Sequence, residues 1–222
     1  IGEIGFTTHP FVQHFEFLKQ HAGEAVVKQT IPSPNMLIRR VDMNEEVYQD
    51  KEEFKQDIIV AYQNAIQAFY DAGCRYLQLD DTAWADLFSE EGHEKLRAKG
   101  LDPAEELVLM QQMINESIAN KPEDLTVTMH ICRGNYKSNY FTSGGYDYAS
   151  EVIFGGLNVD GLFLEFDDER SGSFEPLKYV NRTNLKIVLG LITSKAGELE
   201  DKEKIKARIQ EAATYVPLEQ LC

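Results

Sequence analysis

The chain has 222 residues, which suits one domain with a substantial core, and its formal net charge of −15 at pH 7 argues against nucleic-acid or anionic-membrane partners. The longest apolar run, Ile187–Ile192, is too short to cross a bilayer, and no charged stretch followed by an apolar segment indicates a signal peptide. Three cysteines, an odd number, do not make a disulfide framework. We therefore expect a cytoplasmic protein.

Apolar residues follow two periods that alternate along the chain, one typical of strands and one typical of helices. The predicted strands are Ile1–Phe6, Ala25–Ile31, Arg75–Asp81, Leu125–Ile131, Gly161–Phe166 and Lys186–Ile192, with the start of a seventh at Leu218–Cys222. The predicted helices are Pro10–His21, Glu45–Asp71, Pro103–Ala119, Tyr148–Phe154 and Lys202–Tyr215. Asp102 precedes Pro103 as a helix cap. Met36–Met43 changes abruptly from apolar to charged and is predicted to be a loop.

The alternation of strands and helices, without hairpin signals such as Asn-Gly, predicts βα units and a parallel sheet. A doubly wound sheet and a (β/α)8 TIM barrel both fit this α/β pattern. The candidate functional residues favour the barrel, because they lie at the C-terminal ends of strands, where barrel active sites are found. The chain opens in mid-strand. We therefore expect a partial barrel that lacks the first βα units and the end of the last strand.

His130 and Cys132 lie two residues apart at the end of the predicted strand Leu125–Ile131. Because residues i and i+2 of a strand point to the same face, the imidazole and the thiol should emerge side by side. Imidazole nitrogen and thiolate sulfur are ligands that zinc prefers. Glu165 lies in the apolar run that ends the next strand and offers a carboxylate at the same edge of a parallel sheet. We interpret these three side chains as a zinc site that activates a thiol.

Each candidate also has a simpler structural interpretation. A histidine such as His130 is more often a hydrogen-bonded core residue than a ligand, and a cysteine such as Cys132 is more often a small buried hydrophobe. Asp80 and Asp81 end the strand Arg75–Asp81, where they could serve function or simply cap the following loop. Cys74 lies before that strand with no partner in view, and we interpret it as structural.

The chain resembles the C-terminal catalytic barrel of cobalamin-independent methionine synthases, and most of all the short bacterial members without the N-terminal domain. The resemblance covers nearly the whole chain and is carried by Leu77–Asp81, Met129–Cys132, Asn158–Glu165 and the pair Arg170-Ser171. It implies a single catalytic barrel domain over residues 1–222, incomplete at both ends. It also implies a zinc-dependent methyltransferase that moves a methyl group to the thiol of homocysteine and forms methionine.

The same resemblance implies residue roles. His130, Cys132 and Glu165 correspond to zinc ligands of the family. Asp80 corresponds to the aspartate that binds the amino group of homocysteine. Asp86 belongs to the same pocket, although the large enzymes of the family have glutamate there. We therefore expect Asp80 and Asp86 to act in substrate binding and catalysis.

The chain departs from the family pattern at two places. The fourth zinc ligand of the family is a cysteine in a Pro-x-Cys-Gly setting, and Cys222 precedes that position, so we expect this ligand beyond the end of the chain and regard Cys222 as a doubtful substitute. The Asp-x-His-Ser loop of the large enzymes corresponds to Leu191–Ser194, where Thr193 replaces the histidine. Methyltetrahydrofolate, a methylated corrinoid protein and a small methyl-sulfur compound therefore all stay open as methyl donors.

Two other functions stay open. A metal-free decarboxylase on a related barrel would use the carboxylates at the strand ends, although the sequence shows no arginine cluster for a polycarboxylate substrate. A regulatory barrel would keep the fold and lose the zinc. The metal content of the purified protein separates both alternatives from a zinc enzyme.

Overall fold

A computed structural model describes residues 2–222 of the chain. The helices within this range are α1 (Phe11–His21), α2 (Pro34–Ile38), α3 (Lys51–Asp71), α4 (Glu90–Ala98), α5 (Pro103–Ile118) and α6 (Lys202–Ala212). The strands are β1 (Gln29–Pro32), β2 (Tyr76–Asp81), β3 (Thr126–Ile131), β4 (Gly161–Phe163) and β5 (Lys186–Val188). Among the described helices, none has the length and apolar character that crossing a membrane requires.

The strands follow one another in the sheet in chain order, β1-β2-β3-β4-β5. β1 pairs with β2 in parallel, with Pro32 opposite Asp80, and β4 pairs with β5 in parallel, with Gly161 opposite Lys186. Parallel neighbours need a crossover connection, which helices supply along most of this chain. The predicted α/β architecture with a parallel sheet is confirmed.

The chain divides into two compact units. The first contains the residues up to Asp81 together with Gln112–Met129. In this unit α3 turns one apolar stripe into the core, as its period predicts: Phe54, Ile58, Ile66 and Phe69 are all buried. Asp50 caps α3 by accepting a hydrogen bond from the backbone N–H of Glu52 at 2.9 Å.

The second unit contains Thr82–Gln111 and His130–Cys222. Its core is built from the apolar residues of β4 and β5 and of the segments around them, including Ile153, Phe154, Leu162, Phe166 and Ile187. Asp102 begins α5 as predicted, because its Oδ1 accepts hydrogen bonds from the backbone N–H groups of Ala104 and Glu105.

Several predicted elements of the N-terminal half have different bounds in the structure. The predicted strand Ile1–Phe6 is wrong over residues 2–6, which form no strand, and Ile1 itself lies outside the described residues. β1 and α3 both begin later than predicted. α3 starts only at Lys51 because the residues before it form a turn, in which the N–H of Val47 donates to Asn44 O. The predicted loop Met36–Met43 opens with the end of the short helix α2.

In the C-terminal half the strands β4 and β5 are each shorter than the apolar runs that predicted them. Gly190, with φ +67, turns the chain soon after β5, which is why apolar character outlasts the strand. The predicted helix near Tyr148–Phe154 is a π-helix at Glu151–Gly156. The predicted start of a seventh strand is a 3-10 helix over Leu218–Gln220, but Leu221 bridges Ile187 in parallel and the N–H of Cys222 donates to Ile187 O at 2.8 Å.

Candidate metal site

One cavity of the second unit gathers all three predicted zinc ligands. It has a volume of about 170 Å³, and its lining includes His130, Cys132 and Glu165. Ser194 and Lys195 from the loop after β5 also line the cavity. The other lining residues are Gly134, Asn135, Leu164, Asp167, Gly190 and Ile192. Cys222, exposed at the end of the chain, is not among the described residues that line this cavity.

A hydrogen bond to the backbone of β4 determines the tautomer of His130. Its Nδ1 lies 3.1 Å from the carbonyl oxygen of Phe163 in β4. A carbonyl oxygen only accepts hydrogen bonds, so this contact places a hydrogen on Nδ1, and in the neutral imidazole Nε2 is then the nitrogen with the lone pair. Metal-binding histidines characteristically use the second ring nitrogen in this way.

Cys132 follows the last residue of β3 and is partly accessible. Its Sγ accepts a hydrogen bond from the backbone N–H of Gly134 at 3.4 Å. The thiolate is the form of cysteine that binds metals. The end of β3 therefore presents both predicted ligands, an imidazole and a cysteine sulfur, to the same cavity.

Glu165 is buried and fully engaged by three cationic or N–H donors. Its Oε2 accepts from the backbone N–H of Arg133 at 2.5 Å, and its Oε1 accepts from Lys195 Nζ at 2.6 Å and from Arg170 Nη2 at 2.9 Å. Burial raises the pKa of this carboxyl, but the hydrogen bonds from Lys195, Arg170 and Arg133 outweigh burial and lower the pKa below its ordinary value. Glu165 is therefore a carboxylate at neutral pH.

Asp167 provides a second buried carboxylate beside Glu165. Its Oδ2 accepts from Lys195 Nζ at 3.0 Å and from Thr193 Oγ1 at 3.0 Å, and its Oδ1 accepts from Arg170 Nη2 at 2.9 Å. The two carboxylates thus share two cations. Burial raises the pKa of Asp167, but the hydrogen bonds from Lys195 and Thr193 lower it further, so this group also carries a negative charge.

Arg133 fixes the backbone around these groups. Its side chain is fully buried, and its guanidinium donates to the carbonyl oxygens of Gly144 at 2.7 Å and Glu165 at 2.9 Å. Tyr146 is also fully buried, and its hydroxyl accepts from the backbone N–H of Glu165 at 2.9 Å and donates to Ile131 O at 3.2 Å. These bonds join the end of β3 to the segment that carries Glu165.

The adjacent aspartates at the end of β2 have different environments. Asp81 is fully buried, and its Oδ2 accepts from Ser33 Oγ at 2.7 Å and Asn35 Nδ2 at 2.8 Å, so it joins two elements of the first unit and is structural. Asp80 is half-buried, and its Oδ1 accepts from Gln78 Nε2 at 2.7 Å. Asp86 lies half-buried in the short 3-10 helix Ala83–Leu87 of the second unit.

The carboxylate of Glu165 faces cations in this structure. Within residues 2–222, no three His, Cys, Asp or Glu side chains are arranged to hold a metal ion together. The chemistry of the donors nevertheless fits zinc, because His130 offers Nε2, Cys132 offers sulfur and both line the cavity that Glu165 lines. Lys195 and Arg170 both donate to Oε1 of Glu165, whereas its Oε2 accepts from the backbone N–H of Arg133.

Comparison with known proteins decides the family. The catalytic domain of cobalamin-independent synthases matches residues 8–222. The chain belongs to this family. The sequence resemblance to cobalamin-independent methionine synthases is thereby confirmed.

Two curated proteins of Bacillus subtilis (strain 168) are similar over the whole chain. The uncharacterized protein YxjG is 56% identical over 222 residues, and the uncharacterized protein YxjH is 54% identical over 221 residues. The chain spans 59% of the length of each. Their names assign no activity, so the activity of this chain rests on its own residues and on the family.

Solved structures give the fold. A putative vitamin-B12 independent methionine synthase from Listeria monocytogenes has 53% identity and a TM-score of 0.83 over 99% of this chain and 63% of its own. A B12-independent methionine synthase from Shewanella sp. W3-18-1, solved with selenomethionine, has 16% identity and a TM-score of 0.65 over 97% of this chain and 58% of its own. With these similarities, the predicted TIM-barrel class of α/β fold is confirmed.

The sequence alone missed the residues that surround the predicted ligands. Arg133 follows Cys132 directly and Tyr146 lies in a loop, and neither carries a pattern that predicts burial. Lys195 follows Ser194, at the end of the loop where Thr193 replaces the family histidine. The sequence signal for Lys195 was a lysine directly after a loop that differs from the family pattern.

Proposed function

We propose that this chain carries the zinc-binding centre of a methyltransferase that converts homocysteine to methionine. The observation that supports the proposal is one cavity that brings together His130 in the tautomer of a metal ligand, Cys132 and the ionised Glu165. These three residues would hold zinc. When bound there, zinc would supply a substrate thiol that is deprotonated at neutral pH.

The chain's own residues then have distinct tasks. Arg133 and Tyr146 keep the segment that carries Glu165 against the end of β3. The thiol of homocysteine releases its proton to solvent, and its sulfur forms a bond to the methyl carbon of the donor. The bond between that carbon and the donor atom breaks, and its electron pair stays on the donor. Methyltetrahydrofolate, a methylated corrinoid protein and a methyl-sulfur compound are the candidate donors.

Zinc content tests the centre directly. Protein that extends past Cys222 to include the expected cysteine ligand, purified with zinc and then dialysed, should retain about one zinc per molecule. His130→Ala and Cys132→Ser should each lose the zinc while staying folded. Strand-end residues of barrels serve function more than stability. Cys222→Ser, which removes an exposed thiol outside the cavity lining, is the matched control and should keep its zinc. Metal content near zero in the unsubstituted protein would refute the zinc centre and favour a decarboxylase or regulatory barrel.

We further propose that Asp80 binds the ammonium group of homocysteine, with Asp86 in the same substrate pocket, as the family resemblance implies. Asp80→Asn keeps the shape of the side chain and removes its charge. Loss of an ionic partner should weaken homocysteine binding by about 2–5 kcal/mol, which is roughly thirty- to several-thousand-fold in affinity. Zinc content should not change.

A paired activity assay separates substrate binding from metal binding. A simple thiol without an amino group should be methylated about equally by Asp80→Asn and by the unsubstituted protein. If Asp80→Asn loses zinc, or loses activity equally on homocysteine and on the simple thiol, the proposed role of Asp80 is wrong.

A further inference from the structure

The ammonium group of Lys195 contacts Glu165, one of the three proposed zinc ligands. Its Nζ lies 2.6 Å from Glu165 Oε1 and 3.0 Å from Asp167 Oδ2, and its side chain is only 12% exposed. The same ammonium group belongs to the cavity that contains His130 and Cys132. A cation therefore already sits on the carboxylate that the proposed zinc would need.

Glu165 and Asp167 share two cationic partners. Arg170 makes ion pairs of 2.9 Å to both carboxylates, and Lys195 pairs with the same two. Arg170 also pairs with the half-exposed Asp168, so Lys195 is the cation whose only carboxylate partners are Glu165 and Asp167 among the described ion pairs. A divalent metal bound by Glu165 would add positive charge beside Lys195 and would repel its ammonium group.

The loop around Lys195 also gives its ammonium group a second carboxylate. Thr193 Oγ1 donates to Asp167 Oδ2 and accepts from the backbone N–H of Lys195 at 3.1 Å, which ties the loop to Asp167. When a metal takes Glu165, Lys195 can keep its ion pair with Asp167. The exchange therefore does not leave a buried ammonium group without a partner.

We propose that Lys195 is the exchangeable counter-ion of Glu165, which holds this carboxylate when metal is absent and competes with the metal for it. Lys195 thereby sets the metal affinity of the site. The inference rests on the proposed zinc centre. It differs from a purely structural role, in which removal of Lys195 would lower stability and leave metal affinity unchanged.

The test measures zinc affinity by competition with a chelator at pH 7. Lys195→Met removes the charge and keeps most of the unbranched side chain. It should bind zinc about ten- to a hundred-fold more tightly, the typical effect of losing one charge-assisted hydrogen bond to the competitor. Lys195→Arg keeps the charge and should bind no more tightly than the unsubstituted protein. Lys178→Met is the matched control, because Lys178 pairs with Glu175 on the surface, and its affinity should not change.

A second measurement reports the ligands independently of activity. With Co²⁺ in place of zinc, the sulfur-to-metal absorption band of Cys132 should appear in the unsubstituted protein and in Lys195→Met, at a lower free metal concentration in the variant. If Lys195→Met does not fold, Lys195→Gln, which is also neutral but keeps an N–H donor, should show the same tighter binding.

The outcomes separate the two proposals. Equal or weaker zinc binding by the neutral Lys195 variants, in a protein that does bind zinc, would overturn the counter-ion role and leave the zinc centre intact. Absence of zinc binding in every protein would overturn the zinc centre. Zinc binding only after Lys195 is neutralised would support competition in its strongest form.

Discussion

Removal of one buried hydroxyl should test how the segment that carries Glu165 is held in place. Tyr146 is fully buried, and its ring packs against Phe88 and Phe166 at centroid distances of 5.0 Å. Its hydroxyl also bonds the backbone N–H of Glu165 and the carbonyl oxygen of Ile131. Tyr146→Phe deletes this one oxygen and leaves the ring packing unchanged.

The expected loss of stability follows from the groups left behind. The N–H of Glu165 and the carbonyl of Ile131 lose this partner, and an unsatisfied buried group costs about 1–3 kcal/mol. Arg133 Nη1 also loses the hydroxyl but keeps its 2.9 Å bond to Glu165 O. A phenyl ring is easier to bury than a phenol, so we expect a net loss of about 2–4 kcal/mol in the free energy of unfolding.

Thermal and urea unfolding of the metal-free protein, followed by circular dichroism, measure this loss. For a chain of this length the melting temperature should fall by roughly 4–16 °C. Tyr70→Phe is the matched control, because the Tyr70 hydroxyl bonds Asp124 at the surface, where water can replace it, and should cost less than about 1 kcal/mol. Equal effects of the two substitutions would refute the inferred role of the Tyr146 hydroxyl.

Two further changes should show how tightly the cavity is built. Gly190→Ala should destabilise the protein by about 3 kcal/mol or more, because a Cβ there would overlap the carbonyl of Leu164. Gly100 has a similar positive φ but open space around it, so Gly100→Ala should cost only about 1 kcal/mol. The unfolding midpoints of the two variants measure the difference. The pH dependence of the metal-free protein should reflect Glu165 and Asp167: burial raises their pKa values, but hydrogen bonds from Lys195 and other donors lower them below the unfolded values. Their stabilisation is therefore complete above the unfolded pKa of about 4 and is lost as the pH falls through the lower folded values, so the urea midpoint should drop in acid.

Both expectations have clear contrary results. Similar unfolding midpoints for the two glycine variants would show that the backbone after β5 moves to accommodate the added Cβ at little cost in stability. If the acid loss of stability is as large in Lys195→Met as in the unsubstituted protein, the ion pairs of Lys195 do not supply the stabilisation assigned to them.

Much of the local structure could be predicted from the sequence. The period of the apolar residues identified α1, α3, α5 and α6, and the apolar runs found all five strands, although the bounds differ by several residues. The bounds differ because apolar character marks burial, whereas a strand also needs a neighbour to pair with. Phe166, for example, is fully buried and lies outside β4.

The candidate site was only partly accessible to sequence reasoning. Alternation along a strand predicted that His130 and Cys132 would emerge together, and both do line one cavity with Glu165. The environment of Glu165 was not predictable, because Lys195 lies 30 positions away in the chain and no local pattern couples them. The same limit applies to Asp81, whose role could not be decided from its position in the sequence. Its structural role comes from a hydrogen bond with Ser33, which lies 48 positions away in the chain.

The sequence by itself determined the positions of the five strands and of most longer helices, and which chemistry the strand ends offer, because periodicity and residue type act over short stretches of chain. The tertiary structure alone decided what each side chain faces. Burial of Glu165 among Arg133, Arg170 and Lys195 is a product of contacts between distant segments, and these contacts set its charge and its partners. The residue types at the strand ends are thus local properties, whereas the ion pairs of Glu165 are a property of the fold.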